Sequence, residues 1–412
     1  MLMDEVSRYA VGLDVGTENV RAVVLSVSRE GMTSVVGYGE APNAGMRKGV
    51  VANLAGPAEA IDKMLGEVER MSGYEVDEAY LSINGSHVAS TKANGMIAVG
   101  PENHEINDSD LNRVEDAAVT GRLPANREVL DVLPLEYSLD EQAGIKDPIG
   151  MTGARLEVKA NVISALTPNC TNLKKAAEGA NVTALRLIPS VMAAAKAVLN
   201  ERQMENGVAV IDIGAATTSV AVIEEGDLQY IGVVPVGSNN VTNDLAIVLQ
   251  IDTAEAEDIK LRFVTGEFGD NDKEIIVKRG REETVFPRSD VNEIVRERLG
   301  EIFGEVRKLL KSAGYDQRLP EGVVLTGGGA KMRNIELFAK EELETAVKVG
   351  RPSGLGGVAD AVEKPEFATA VGLALFAVQD GEVARDKKKR KEKKSSKSSQ
   401  GGSLLKKILK KF

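Results

Sequence analysis

The chain has 412 residues, 43% of them apolar, enough for two or more domains with cores of their own. A single cysteine (Cys170) excludes an internal disulfide and fits a reducing cytoplasm, and two histidines (His87 and His104) exclude a His/Cys metal site or a serine–histidine–carboxylate triad. Tryptophan is absent and aromatics make up only 4%, which argues against a base-stacking nucleic-acid surface.

The N-terminus, Met1 to Tyr9, carries Asp4, Glu5 and Arg8 and does not read as a signal peptide. No stretch approaches the roughly 18 apolar residues of a membrane span. Residues 8–38 read as strands, 56–70 as a helix with Ala58, Ile61, Leu65 and Val68 on one face, and 80–83 as a short strand. Residues 86–161 have their own pattern: a strand, a helix starting near Asn107, then strands at 129–138 and 154–160. Helices are expected at 169–180 and 190–203, the second carrying Ala193, Ala194, Ala197 and Val198, with a boundary at Glu205-Asn206-Gly207. Strands follow from Val208, then helices at 239–249 and 253–264, an acidic loop at 266–273, short strands at 275–286 and a long helix at 290–312. Residues 321–332 read as strand, glycine turn and helix start, and a helix at 366–379 closes the body.

Two hairpins stand out, with their aspartates 198 residues apart. The first breaks at Asp14-Val-Gly16-Thr17 and the second at Asp212-Ile-Gly214-Ala215-Ala216-Thr217-Thr218. Each joins two β-rich runs through a turn of small and hydroxyl residues, where glycine lets backbone N–H groups approach an anion. An aspartate ending such a strand is placed to hold Mg²⁺ through water. One Asp-x-Gly turn is a weak signal, but two, each opening a half of the chain, point to a duplicated domain clamping a phosphate chain. Thr326-Gly327-Gly328-Gly329-Ala330 would let backbone lie flat against a planar or anionic ligand, or be an ordinary tight turn. Glu257 and Lys260 share a helix face and could bond ribose hydroxyls or form a solvated ion pair. Arg21 could return toward the phosphates or be an exposed strand-face charge.

Taken in order, these elements resemble the phosphate-1, phosphate-2 and adenosine motifs of the actin, Hsp70 and sugar kinase ATPase superfamily. Gly45-Met-Arg-Lys-Gly49-Val-Val, Tyr80-Leu-Ser-Ile-Asn-Gly85, Gly144-Ile-Lys followed by Asp147-Pro-Ile-Gly-Met-Thr-Gly153, Ala256-Glu257-x-x-Lys260 and Phe367-Ala-Thr-Ala-Val-Gly372 are similar to the bacterial cell-division family FtsA. The resemblance implies an α/β actin-like fold: two RNase H-like domains around a nucleotide cleft, a small inserted α+β subdomain, and a C-terminal amphipathic helix. The implied boundaries are 8–85, 162–203 and 355–380 for the first core, 86–161 for the insert, and 206–354 for the second half, with its smaller subdomain at about 242–312. The cofactors implied are ATP and Mg²⁺, the latter on Asp14 and Asp212. The implied nucleotide residues are Asp14, Gly16, Thr17, Asn19, Arg21, Asp212, Gly214, Ala215, Ala216, Thr217, Thr218, Gly237, Glu257, Lys260, Gly327, Gly328, Gly329, Ala330 and Met332.

Phosphate-2 departs from the family's usual Asp-x-Gly-Gly-Gly-Thr-Thr-Asp, with Ala215 and Ala216 for two glycines and Ser219 for the acid. The helix after Leu187-Ile-Pro-Ser190 also lacks the glutamate that orients attacking water in hydrolysing bacterial actins, so binding with slow hydrolysis is expected.

The net charge of −11 is uneven: Arg385–Phe412 has 13 Lys/Arg against two acids, or +11, leaving −22 elsewhere. Residues 385–402 read as a disordered basic linker. In 403–412, Leu404, Leu405, Ile408, Leu409 and Phe412 fall on one side of a helical wheel, and Lys406, Lys407, Lys410 and Lys411 on the other. Five apolar side chains at up to ~1.5–3 kcal/mol each, with about 1 kcal/mol per lysine at anionic lipid, can outweigh the cost of ordering. An interfacial anchor is the reading, ahead of a protein-docking helix or a nucleic-acid tail.

The resemblance further implies self-polymerisation, other divisome partners and a place on the cytoplasmic face of the cell membrane at the division site. It also implies a complex with the C-terminal peptide of FtsZ on the second half's smaller subdomain, where Arg288 and Arg298 are candidates unless they are merely solvated charges. The rivals are a sugar kinase or Hsp70-type enzyme and an actin homologue of type IV pilus assembly. The latter also carries Asp-x-Gly-Ala at phosphate-2.

Overall fold

The strand Val6–Val15 pairs antiparallel with Asn19–Ser28, placing Asp14 opposite Arg21 at the turn. The structure, a computed structural model, describes residues 6–100, 104–263, 274–279, 282–316 and 318–381. Thr33–Pro42 continues the first sheet antiparallel on one side, while Glu78–Ile83 and Thr183–Pro189 extend it in parallel on the other. The second sheet repeats this plan: Asp227–Val234, Thr218–Glu224 and Val208–Ile213 are antiparallel, then Val323–Thr326 and Val347–Val349 are parallel. The duplication read from the two hairpins is therefore a duplication of sheet topology. Every residue of Val208–Ile213 is buried, because both faces of the strand are covered, and this is why it reads as a continuous apolar run.

Ala55–Ser72 packs on the first sheet through Ile61, Met64, Leu65 and Val68, and Ala60 is buried in preference to Ala58. Ser190–Val198 touches strands of both sheets, and its row of alanines keeps the approach close. The helix at 368–381 crosses it so tightly that a Cβ on Gly372 would lie 1.7 Å from the Ala193 carbonyl oxygen. The helix expected at 190–203 is in fact two. Leu199 is extended, and Asn200 begins Glu201–Asn206 with a capping box, accepting from Gln203 N at 2.9 Å.

The inserted segment forms a sheet in the order Ala89–Ala98, Arg155–Leu166, Arg127–Leu139, Gln142–Ile145. Asp108–Val119 packs on it through Val114 and Ala118 and starts at the expected point, where Asn107 and Asp110 make a capping box. In the second half, Ser238–Leu249, Thr253–Phe263 and the hairpin Glu274–Arg279/Glu282–Pro287 gather around Arg288–Ser312. That long helix buries Val291, Val295, Leu299, Ile302, Phe303, Val306 and Leu310 at helical spacing. The last two glycines of the triplet open a 3-10 turn, Gly328–Lys331, and the α-helix starts only at Ile335, a later start than the sequence pattern indicates. The acidic loop at 266–273, the linker at 385–402 and the anchor at 403–412 lie outside the described residues.

Candidate functional site: the cleft between the two halves

The two Asp-x-Gly turns have the same internal bond: Gly16 N donates to Asn19 O at 3.1 Å, and Gly214 N to Thr217 O at 2.9 Å. Both turns open onto one cleft, which Asp14, Gly16, Thr17, Asn19, Arg21, Asp212, Gly214, Ala215 and Thr217 line together. Ser82 Oγ donates to Asp14 Oδ1 at 2.7 Å and accepts from Val15 N at 3.0 Å, fixing the carboxylate on the floor. Burial pushes the Asp14 carboxyl above its ordinary range, with Ser82 and Arg21 opposing. Burial first, and the charge of Asp14 second, push Asp212 up to about 7.

Two desolvated carboxylates, one of them raised by the charge of the other, make a place where a divalent cation is stabilising. Among the described residues no three His, Cys, Asp or Glu side chains cluster as a metal cage. The donors therefore fit a magnesium ion that keeps its waters and shares phosphate oxygens, the usual habit of that ion.

Arg21 lies in the cleft but is engaged there, donating to Glu40 at 2.5 Å with its guanidinium 5.8 Å from the Phe367 ring centre. Gly49 N donates to Thr17 Oγ1 at 3.1 Å, so the Gly45–Val51 stretch folds into a small hairpin against the first turn. Asn84 ties the halves: its Nδ2 donates to Thr217 Oγ1 at 3.1 Å and its Oδ1 accepts from Ser219 Oγ at 3.0 Å. Glu18 accepts from Asn239 Nδ2 at 2.6 Å across the same gap.

Glu257 and Lys260 form an ion pair at 2.6 Å, with Thr242 Oγ1 donating to the Glu257 carboxylate and accepting from Lys260 Nζ. Lys260 is only 2% exposed while the Glu257 side chain is 41% exposed, so the i,i+3 pair is solvated at its carboxylate and buried at its ammonium. Burial depresses its ammonium, and Glu257 opposes that. Gly327 has φ of +84° and a Cβ there would fall 2.2 Å from Asp212 Oδ1, so only glycine fits. Gly328 faces open cleft.

Six expected nucleotide residues do not line the cleft. Thr218 is fully buried and donates to Val236 O at 2.9 Å; Gly329 lies against Ile213; Ala330 and Met332 are in the second core. Gly237 caps the Ser238–Leu249 helix over the phosphate-2 turn, with Ser238 N and Asn239 N donating to Gly214 O and Ala215 O. Ala216 is half-buried beside its neighbours in that turn. Sequence reading missed Glu18, Asn84, Ser190, Lys331, Glu366 and Thr369, all of which line the cleft. Of these Asn84 and Thr369 carried a signal, within the Tyr80–Gly85 and Phe367–Gly372 stretches, and Ser190 stood in Leu187–Ser190.

Both candidate partner arginines are engaged within the chain. Arg298 donates to both oxygens of Asp244, at 2.6 and 3.1 Å, and to Glu301, so its charge is already matched. Arg288, at the start of the long helix, is engaged as well.

Two sheets of repeated topology enclosing a cleft between matched Asp-x-Gly turns define an actin-like protein. Among solved structures, the PilM–PilN type IV pilus biogenesis complex aligns with a TM-score of 0.65 at 19% identity, covering 90% of this chain and 98% of that one. MreB 5 of Spiroplasma citri bound to AMPPNP aligns with a TM-score of 0.56 at 16% identity, covering 92% and 99%. Both show the fold alone. The family is set by sequence: residues 209–372 match the model for cell division protein FtsA, and residues 85–164 match the SHS2 domain inserted in FtsA. The cell division protein FtsA of Pseudomonas aeruginosa is 34% identical over 384 residues, 90% of each chain. The chain belongs to the FtsA family of cell division proteins.

Proposed function

We propose that this chain binds ATP with Mg²⁺ between its halves, polymerises, and fastens the FtsZ ring to the inner face of the cytoplasmic membrane at the division site. The observation that carries the reading is the meeting of two matched Asp-x-Gly turns over a floor of two buried carboxylates, in a chain of a cell-division family. Gly16, Thr17, Gly214, Ala215 and Thr217 would hold the phosphate chain from opposite sides, with Asp14 and Asp212 holding the hydrated metal. Magnesium, when bound, supplies charge neutralisation for the phosphates. The Glu257–Lys260 pair faces the ribose hydroxyls, and Gly327–Gly328 gives the nucleoside a flat backbone to lie on. The Ser190–Val198 helix offers no carboxylate to orient a water, so turnover is slow.

Membrane attachment rests on residues 403–412, whose apolar and lysine faces separate by helical spacing. The FtsZ peptide is received on the smaller subdomain of the second half. There Ile247 and Val248 stand 74% and 60% exposed beside Arg298, and the peptide's contact is apolar where the arginine is already neutralised.

The test is liposome co-sedimentation of the full chain and of a chain ending at Gln400, with and without ATP-Mg²⁺ and FtsZ. Pelleting of the full chain alone, with FtsZ carried down, supports the tether. Equal behaviour of both chains contradicts it, and capture of an inner-membrane pilus peptide in place of FtsZ favours a pilus adaptor.

A further inference from the structure

Glu366 is the one cleft-lining carboxylate among the described residues that has a buried oxygen with no hydrogen-bond partner. Its side chain is 8% exposed; Oε1 meets Lys331 Nζ at 3.1 Å, and Oε2 meets no donor. A carboxylate is an acceptor only, and leaving such an oxygen buried and unmatched is costly, so the site calls for an N–H or O–H donor from a ligand.

The backbone holding Glu366 is fixed to the glycine triplet. Pro365 O accepts from Gly327 N and from Thr326 Oγ1, each at 3.1 Å, within the turn Pro365–Phe367. Lys331, its ion-pair partner, stands close enough to Lys260 for its charge to help depress that ammonium. Glu366 therefore sits beside the Gly327–Gly328 backbone, with its partner Lys331 facing toward the Glu257–Lys260 pair.

We propose that Glu366 Oε2 accepts a hydrogen bond from the 6-amino group of adenine, making Glu366 a residue that sets base specificity in this cleft. The proposal rests on the nucleotide reading of the cleft given above. Of the groups on adenine's hydrogen-bonding edge, the 6-amino group alone donates. The Lys331 ammonium pairs with Oε1 and orients the carboxylate, and a bond to a carboxylate oxygen is charge-assisted. Sequence reading passed over Glu366 because a single acidic residue between Pro365 and Phe367 carries no pattern.

The test compares Mg²⁺-dependent binding of ATP and of purine riboside 5′-triphosphate, which has hydrogen in place of the 6-amino group, to the full chain. Wild type should favour ATP by roughly tenfold to a hundredfold, the worth of a hydrogen bond to a charged group. Glu366→Ala should bind the two nucleotides within about twofold of each other, by losing affinity only for ATP. Glu366→Gln, which keeps the size and a neutral acceptor, should show an intermediate preference. Equal binding of the two nucleotides by wild type overturns the proposal and leaves the nucleotide cleft standing, as does an ATP preference that survives Glu366→Ala. Tighter binding of GTP than of ATP by wild type overturns it too. Wild type that binds none of these nucleotides overturns the cleft reading and the proposal together.

Discussion

Replacing Asp212 by Asn should stabilise the nucleotide-free protein while weakening its grip on Mg²⁺-nucleotide. The Asp212 carboxyl is 8% exposed and raised from 3.8 to about 7, chiefly by burial and then by Asp14. A raised acid is favourable to the fold while protonated, below 3.8, and that advantage is lost as pH rises through about 7. The displacement corresponds to on the order of 4 kcal/mol at alkaline pH. Asparagine has the same shape and no charge, but its amide forgoes about 1–3 kcal/mol if unmatched. The difference between the chains should therefore grow in favour of the variant by about 2.5 kcal/mol between about pH 5 and pH 8. The assay is thermal unfolding of both chains, without nucleotide, across that pH range. A variant whose stability relative to wild type does not change with pH, or falls as pH rises, refutes the buried-pair reasoning.

The other predictions follow from single contacts. Gly327→Ala combines an unfavourable positive φ with a Cβ 2.2 Å from Asp212 Oδ1, and should destabilise by about 2–5 kcal/mol in thermal or urea unfolding. Gly328→Ala meets no atom within 4 Å, so it should leave unfolding unchanged and weaken ATP binding only. Asn84→Ala removes the bonds to Thr217 and Ser219; a loss of roughly 1–3 kcal/mol and faster release of a fluorescent ATP analogue are expected. Lys260→Met should be close to neutral for stability, whereas Glu257→Ala, which strands a buried ammonium, should cost roughly 1–3 kcal/mol. Both should reduce nucleotide affinity in equilibrium titration.

The two hairpins were legible because their strands are buried on both faces and their turns need glycine, so the chain declares them locally. The long helix at Arg288–Ser312 was legible for a similar reason, with seven buried residues at helical spacing. The break at Leu199 was hidden by good helix formers on both sides, Ala193–Ala197 before it and Glu201–Met204 after it, and only the Asn200–Gln203 capping pair marks it. Asn84, Glu18 and Glu366 pair with residues distant in sequence, and nothing in their own neighbourhood names the partner. Asn84 reaches 133 residues to Thr217, and Glu18 reaches 221 to Asn239. The pairing of Arg298 was hidden for the same reason, since Asp244, which neutralises it, lies 54 residues away. Lys260 looked like a surface charge because its pairing with Glu257 is local, while its burial comes from the tertiary fold.

The measurement closest to the centre of the account is equilibrium binding of ATP to the full chain, with Mg²⁺ and with EDTA, for wild type and for Asp14→Asn. The account predicts saturable binding of one nucleotide per chain that weakens on removal of Mg²⁺ and again on loss of the Asp14 charge. Absence of saturable binding, or binding indifferent to both the metal and Asp14, would contradict a cleft built to hold a metal–phosphate chain between the two halves.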